Sequence, residues 1–227
     1  MTTTFATSRD GTRIAYDATG SGAPLVLLHG GGHNRSYWHS AGYVGRLMNA
    51  HRVIAIDARG SGDSDQPADP SAYTPRNQGD DVLAVADACG VDRFVLWGYS
   101  YGGNIGRYLA SRSARVTKFV MMGIPFGPGA FGEFRKMIER IAERPSPAIA
   151  WLVGMLDWPI NEPNDLRCPT LWLVGSDNPF AMASVDQYRT ALTGSQVRAQ
   201  IVDGLNHEQE FSDIDRVLPL MRSFTEG

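Results

Sequence analysis

The sequence has few cysteines, no excess of basic residues and no long apolar run. Only Cys89 and Cys168 occur among its 227 residues, without a C-x-x-C spacing, so we expect neither a disulfide framework nor a thiolate metal site. Lys and Arg number 21 against 24 Asp and Glu, which gives a net charge of −3. No basic block is present to neutralise a row of phosphates, and we therefore expect no nucleic-acid partner.

The same absences bear on location. No window approaches the ~20 apolar residues of a membrane span, and residues 1–17 lack a basic segment followed by an apolar one. We therefore expect a cytoplasmic protein with no membrane partner. The composition, 43% hydrophobic and 20% charged, is that of a globular protein, and the length suits one domain, with or without a modest insertion.

Short apolar runs alternate with longer segments of helical period, which is typical of a parallel sheet with crossover helices. The fold class is therefore α/β. The segments TTTFAT and TRIAYDA flank the turn at Asp10-Gly11 and predict an antiparallel hairpin at the start of the chain. Buried strands, apolar on both faces, are predicted at Pro24–Leu28, Arg52–Ile56, Arg93–Trp97, Thr117–Met122, Thr170–Val174 and Val197–Val202.

Helical patterns lie between these strands, and one segment interrupts the alternation. The predicted helices are Tyr37–Ala50, Pro75–Cys89, Tyr101–Ser113, Ala181–Leu192 and His207–Phe224. Residues 125–167 instead carry two helical patterns, 131–144 and 147–157, bounded by prolines. We interpret 125–167 as a small helical insertion in a core formed by 1–124 and 168–227.

The pattern Gly98-Tyr99-Ser100-Tyr101-Gly102 directly follows a predicted strand and directly precedes a predicted helix. In that context it predicts a nucleophile elbow, a sharp turn that holds the central residue in a strained backbone. Ser100 would stand at the carboxyl end of the sheet, above a helix N-terminus. A Gly-rich turn with an incidental serine is the alternative.

A serine hydroxyl needs a neighbouring imidazole to take its proton, and the imidazole needs a carboxylate to orient it. His207 is the only histidine after Ser100, and it follows the last predicted strand. In the chain order serine, acid, histidine, Asp177 is the favoured acid, because it lies in the turn after a buried strand. An Asx-turn role is the alternative for Asp177, and Asp203 is the second candidate acid.

The run His29-Gly30-Gly31-Gly32 follows the predicted strand Pro24–Leu28. Glycines there let backbone N–H groups approach a developing negative charge, so we assign an oxyanion hole to the amides of Gly31 and Tyr101. A flexible turn is the alternative. His29 and His33 have an H-x-x-x-H spacing, but a Gly-rich loop does not present both rings on one face, and we expect no metal site.

With these pieces the chain resembles the α/β-hydrolase family, in its serine esterase-like form with a small lid. The matching motifs are HGGG at 29–32, Asp57–Ser64 after a strand, GYSYG at 98–102, VGSD ending at Asp177 and GLNH ending at His207. The resemblance implies an eight-stranded, mostly parallel sheet, a Ser-Asp-His triad, acyl-transfer chemistry and no cofactor. It also implies that Asp57–Ser64 shapes the scaffold, and that 125–167 is a short lid.

The lid segment is rich in large apolar side chains, which indicates an acyl or aromatic substrate. They are Phe126, Phe131, Phe134, Met137, Ile138, Trp151, Met155 and Trp158. The alternative is that they pack the lid onto the core. We take the substrate-binding residues to be His29, Gly30, Gly32, Phe126, Trp151 and Trp158.

The sequence thus predicts a monomeric or homodimeric serine hydrolase that cleaves small or aromatic carboxylic esters through an acyl-enzyme. A serine at position 100 argues against the members that use an aspartate nucleophile, the haloalkane dehalogenases and epoxide hydrolases. A lactonase, thioesterase, C–C bond hydrolase or cofactor-free perhydrolase could use the same triad. A ligand-binding or signalling protein with slow hydrolysis is the alternative from another class.

Overall fold

An eight-stranded sheet is the centre of the computed structural model, which describes residues 3–127, 132–143, 149–155, 158 and 161–226. The strands are β1 (Thr4–Thr7), β2 (Arg13–Thr19), β3 (Ala23–Leu28), β4 (His51–Ile56), β5 (Phe94–Tyr99), β6 (Val116–Met122), β7 (Thr170–Gly175) and β8 (Val197–Val202). Their order across the sheet is β1-β2-β4-β3-β5-β6-β7-β8. The pairs β1–β2 and β2–β4 are antiparallel and the rest are parallel, which confirms the predicted fold class.

Helices connect the strands. They are α1 (Ser36–Ser40), α2 (Tyr43–Leu47), α3 (Pro75–Ala88), α4 (Tyr101–Ala110), α5 (Gly132–Ala142), α6 (Ala150–Gly154), α7 (Pro179–Leu192), α8 (Gln209–Ser212) and α9 (Ile214–Glu226), with single 3₁₀ turns at Pro70–Tyr73 and Pro163–Asp165. Within the described ranges, no helix is long and apolar enough to cross a membrane.

Two predicted helices are each divided in the structure. The helix expected over Tyr37–Ala50 is α1 and α2, because Gly42 between them has a φ of 86° and turns the chain. The helix expected over His207–Phe224 is α8 and α9, with Asp213 in a non-helical conformation between them. Apolar periodicity continues across both breaks, so the pattern alone did not reveal them.

The central strands bury both of their faces, as their sequences predict. In β3, Val26 and Leu28 belong to one apolar cluster and Leu25 and Leu27 to the other. The strand therefore lies between two layers of the core. This burial fixes the register of the parallel strands, and with it the level at which their carboxyl ends stop.

The segment between β6 and β7 contains α5 and α6. Gly154 of α6 packs closely against the 3₁₀ turn Pro70–Tyr73, since a Cβ built on Gly154 would stand 2.6 Å from the Cβ of Tyr73. Among the apolar side chains expected to line the lid, those of Phe131, Phe134 and Met137 lie outside the described residues. The domain boundaries at 125 and 167 stay a prediction.

Arg59, in the stretch that follows β4, forms a buried ion-pair network. Its side chain is fully buried, and its guanidinium donates to both carboxylate oxygens of Asp81 at 2.7 and 2.6 Å. It also pairs with Asp10 at 2.8 Å and donates to the carbonyl of Ala72 at 2.7 Å. Arg59 thus joins the first hairpin, the 3₁₀ turn and α3, which is a scaffold role.

We expect Arg59→Ala to lower the free energy of unfolding by about 3–5 kcal/mol, because it leaves the buried Asp81 carboxylate without its partner. Arg9→Ala is the matched control: Arg9 is exposed and 4.0 Å from Asp80, and its removal should cost less than about 1 kcal/mol. Urea denaturation measures both. Equal losses in the two variants would contradict the assignment.

Candidate active site

Ser100 occupies a strained backbone between β5 and α4. Its φ is 51° and its ψ is −112°, and it is the only non-glycine residue with a positive φ among those the structure describes. Its N–H donates to the carbonyl of Met122, at the end of β6, at 2.8 Å. This geometry is that of the predicted elbow, and it lifts the side chain above the N-terminus of α4.

The glycines around Ser100 permit close backbone contacts. A Cβ on Gly98 would overlap the carbonyl of Gly102, and a Cβ on Gly102 would overlap the carbonyl of Leu28 at the end of β3. The N–H of Gly102 donates to the carbonyl of His29 at 3.0 Å. The G-x-S-x-G spacing therefore fits α4 tightly against both β5 and β3.

His207, in the loop after β8, lies beside Ser100. Its Nε2 is 3.1 Å from the Ser100 Oγ. The ring of Tyr99 stacks against the imidazole at 5.2 Å, and the Tyr99 hydroxyl donates to the carbonyl of His207 at 2.9 Å. Burial raises the pKa of the Tyr99 hydroxyl, so Tyr99 stays neutral while it positions His207.

The two acids predicted from the sequence do not reach His207. Asp177 is exposed, and its carboxylate accepts a hydrogen bond from the Ser176 Oγ at 3.1 Å; Asp203 accepts one from the same hydroxyl at 3.3 Å. The turn after β7 directs Asp177 to solvent and the next side chain, Asn178, into the site. The contact between Asp177 and His207 that the sequence predicts is therefore absent from the contacts of the described residues.

Glu210 lies where the acid was expected. Its Oε2 is 3.3 Å from the Nδ1 of His207, its side chain is 2% exposed, and it accepts from the N–H of Gly175 at 2.7 Å. The Nδ2 of Asn178 donates to both of its oxygens at 3.0 and 3.1 Å. The sequence does carry a signal for this contact, since His207 and Glu210 are three residues apart in a predicted helix, but the usual chain order places the acid before the histidine.

The glycine-rich loop after β3 lies against the elbow. A Cβ on Gly30 would stand 3.5 Å from the Cβ of Ser100. As the first residue of α4, Tyr101 has an N–H without an intrahelical acceptor. Within the described part of the chain, the N–H of Gly31 donates no hydrogen bond either. The backbone N–H groups of Gly31 and Tyr101 thus have no acceptor among the described residues.

His29, which the sequence predicts to contact substrate, lies inside the protein core. It is completely buried, its Nε2 accepts from the N–H of Ala58 at 3.1 Å, and its Nδ1 lies 2.8 Å from the carbonyl of Gly30. Burial lowers the pKa of this imidazole, which keeps it neutral and suited to both contacts. Gly32 has a φ of 76° and is exposed at the tip of the loop.

The aromatic residues expected to contact substrate differ in position. Trp151 of α6 covers Gly31, because a Cβ built on Gly31 would stand 2.5 Å from the indole ring. The centroid of the same indole lies 4.8 Å from that of the Tyr101 ring. Trp158 lies 5.9 Å from the ring of Tyr101 and donates from Nε1 to the carbonyl of Tyr73 at 2.9 Å. Phe126 is completely buried against Trp172, so it is a core residue.

Phe211 anchors the segment that carries His207 and Glu210. It is completely buried, and its ring lies within 4.1–5.1 Å of the rings of Tyr37, Trp38 and Tyr43. The Tyr43 hydroxyl donates to its carbonyl at 2.7 Å. The position of α8 is thus set by aromatic packing below the site.

The fold and this geometry agree with a comparison to known families. The family model described as the alpha/beta hydrolase fold matches residues 23–146, more than half of the chain. The chain belongs to the alpha/beta hydrolase fold family. This confirms the resemblance that its motifs indicate.

Curated relatives share part of their length with the chain. A soluble epoxide hydrolase of Corynebacterium sp. (strain C12) is 35% identical over 118 residues, which cover 51% of this chain and 40% of the relative. A 2-hydroxymuconate semialdehyde hydrolase of Pseudomonas sp. (strain CF600) is 36% identical over 148 residues, 58% of this chain and 52% of the relative. The chain spans about half or less of the length of the curated relatives it matches.

Solved structures match over the whole fold. An esterase from Thermogutta terrifontis superimposes with a TM-score of 0.79 at 23% identity, covering 100% of this chain and 98% of that one. An esterase from Rhodococcus sp. ECU1013 gives a TM-score of 0.79 at 24% identity, covering 100% and 99%. At these identities the likeness establishes the shared fold.

The strain at Ser100 has a measurable consequence. We expect Ser100→Gly to be more stable than Ser100→Ala by about 1 kcal/mol, because glycine adopts this backbone without a Cβ clash. At Ser223, an exposed residue inside α9, the order should reverse, since glycine costs about 0.5–1 kcal/mol in a helix interior. Urea denaturation of the four variants tests this, and the same order at both positions would contradict it.

Proposed function

We propose that this chain is a serine hydrolase that cleaves carboxylic esters of small or aromatic substrates, with Ser100 as nucleophile and His207 as base. The observation that carries the proposal is the 3.1 Å separation between the His207 Nε2 and the Ser100 Oγ. That distance is within reach for direct proton transfer. Membership of the alpha/beta hydrolase fold family and the esterases among the solved structures of like fold support it.

In the proposed cycle, the Ser100 Oγ attacks the ester carbonyl as its proton passes to the Nε2 of His207. The carbonyl oxygen becomes an oxyanion held by the N–H groups of Gly31 and Tyr101. The intermediate collapses, the C–O bond to the alcohol breaks, and His207 protonates the leaving alkoxide. A water molecule then loses a proton to His207 and attacks the carbonyl of the acyl-enzyme. The bond between that carbon and the Ser100 Oγ breaks, His207 returns the proton to the Oγ, and the acid leaves.

Trp151 supports a limit on substrate size. Its indole covers Gly31 and meets Tyr101, so it lies above both proposed oxyanion donors. An acyl group bound with its carbonyl oxygen between those donors must fit beside the indole. A short or flat acyl group fits more readily than a long chain, which would displace the ring or leave methylene groups in water at about 0.8 kcal/mol each.

Carbon–carbon bond hydrolysis is the second candidate. The observation that favours it is the 36% identity to the 2-hydroxymuconate semialdehyde hydrolase. A panel of aromatic esters and of vinylogous β-diketones, assayed with the same enzyme, separates the two. A value of kcat/KM at least tenfold higher for the diketones would favour the second candidate.

Fluorophosphonate labelling tests the nucleophile. We expect the probe to add one label to the wild-type protein and none to Ser100→Ala, because labelling needs an activated hydroxyl. Ser36→Ala, which changes an exposed serine, should label at the wild-type rate. Intact-mass spectrometry measures all three. Labelling of Ser100→Ala at the wild-type rate would refute the proposal. In a separate assay of ester hydrolysis, release of one equivalent of product per protein without further turnover would favour a ligand-binding protein.

Ester chain length tests the covering indole. Across p-nitrophenyl esters from acetate to dodecanoate, we expect the wild-type kcat/KM to peak below octanoate and Trp151→Ala to move the peak to longer chains. Trp158→Ala should move it less, since Trp158 contacts Tyr101 and the carbonyl of Tyr73. An optimum at octanoate or longer in the wild type, or no shift in Trp151→Ala, would count against this limit.

A further inference from the structure

We propose that Glu210 is the carboxylate that orients His207, so that the acid of this site follows the histidine in the chain instead of preceding it. The inference rests on the proposed serine hydrolysis. It assigns to Glu210 the role that sequence order gives to Asp177. It also makes Asn178 a positioning residue, which acts through Glu210.

The burial of Glu210 is the first argument. Its side chain is 2% exposed, and His207 is its only ion-pair partner among the described residues. A buried carboxylate without a nearby Lys or Arg is costly unless hydrogen bonds stabilise it. The N–H of Gly175 and the side-chain amide of Asn178 supply them. A positive charge on His207 would therefore be stabilised by the buried carboxylate of Glu210.

The orientation of Asn178 is the second argument. Its Oδ1 accepts from the N–H of Ala181 at 3.2 Å, as the N-cap of α7, which turns its NH₂ group toward Glu210. The Asn178 Nδ2 lies 3.5 Å from the His207 Nδ1, but an amide NH₂ only donates. The acceptor left for an Nδ1 proton is the Oε2 of Glu210.

The tautomer follows from that arrangement. With the proton on Nδ1 and directed to Glu210, the Nε2 of His207 carries its lone pair toward the Ser100 Oγ. This is the form that a general base requires. As His207 gains the serine proton, its positive charge develops 3.3 Å from Oε2.

The packing around the pair is the third argument. Gly123, just after β6, has a φ of 74°, and a Cβ there would stand 2.9 Å from the His207 Cε1 and 3.0 Å from the Glu210 Oε2. Of the titratable groups near the imidazole, Tyr99 stays neutral, and the neighbouring Glu208 is exposed. Glu210 is thus the buried charge that faces His207.

The test is the pH dependence of ester hydrolysis in matched variants. We expect Glu210→Gln to lower kcat by about 10²-fold to 10⁴-fold with little change in KM. It should also move the acid limb of the pH profile to lower pH, because losing a carboxylate disfavours the imidazolium. Asp177→Asn and Asp203→Asn should keep kcat within about threefold of the wild type and leave the profile in place, as surface substitutions do.

A relocated carboxylate supplies the rescue. The double variant Asn178→Asp/Glu210→Gln has a carboxylate at position 178 and an amide at position 210. The hydrogen bond between the two side chains is kept, with its donor and acceptor exchanged. We expect this double variant to recover at least about tenfold in kcat over Glu210→Gln, since Asp/Asn and Glu/Gln are close in shape. Failure to recover, with both proteins folded by circular dichroism, would overturn the assignment.

A measurement on the wild-type protein needs no variant to fold. The ¹⁵N shifts of His207 in the neutral imidazole should report a protonated Nδ1, and an Nε2–H tautomer would overturn the inference. Full activity in Glu210→Gln with loss in Asp177→Asn would overturn it too, while leaving the proposed hydrolysis intact. Labelling of Ser100→Ala would instead refute the hydrolysis, and the ¹⁵N result would still decide the position of the proton.

Discussion

A single strained residue at the centre of the sheet is the constraint on which the site depends. Two hydrogen bonds hold Ser100 at a φ of 51°. Its own N–H donates to the carbonyl of Met122 at the end of β6, and the N–H of Gly102 donates to the carbonyl of His29 in the loop after β3. Because β3, β5 and β6 are adjacent in the sheet, packing in the buried centre of the molecule stabilises the strained backbone of Ser100.

The other half of the site is assembled by the turn after β7 and the loop after β8. The N–H of Ser176 donates to the carbonyl of Val202, and that of Asp177 donates to the carbonyl of Leu205, both at 3.0 Å. A Cβ on Gly175 would overlap the carbonyl of Leu205. These contacts bring the N–H of Gly175 to Glu210, so backbone geometry, more than side-chain charge, creates the place for a buried carboxylate.

The sequence predicted the sheet, and it also predicted that Ser100 and His207 lie together at the candidate site, because each had a signal independent of three-dimensional detail. Ser100 lies between a strand and a helix, and His207 is the only histidine after it. The sequence carries no such signal for the side chains of a turn, because turns lack the periodicity of helices and strands. It therefore could not show that Asn178, and not Asp177, points into the site. The contact between Glu210 and His207 was not expected, because the usual chain order places the acid before the histidine.

Two other differences have the same origin in tertiary packing. His29 follows β3 at the carboxyl end of the sheet, where the sequence predicts a contact with substrate, but its side chain is buried and its Nε2 accepts from the N–H of Ala58. Phe126 begins the lid segment in the sequence, yet it belongs to the core beside Trp172. Apolar and aromatic character predicts burial, and it does not say against which surface a side chain is buried.

The proposed base and its carboxylate sit on one short stretch of chain, 207–210, which the ring of Phe211 fastens to an aromatic cluster shared with Trp38 and Tyr43. Because both lie within four residues of chain, a displacement of this stretch would move them away from Ser100 together. The separation between the His207 Nε2 and the Ser100 Oγ therefore depends on the aromatic packing of Phe211 as well as on the hydrogen bonds at the site.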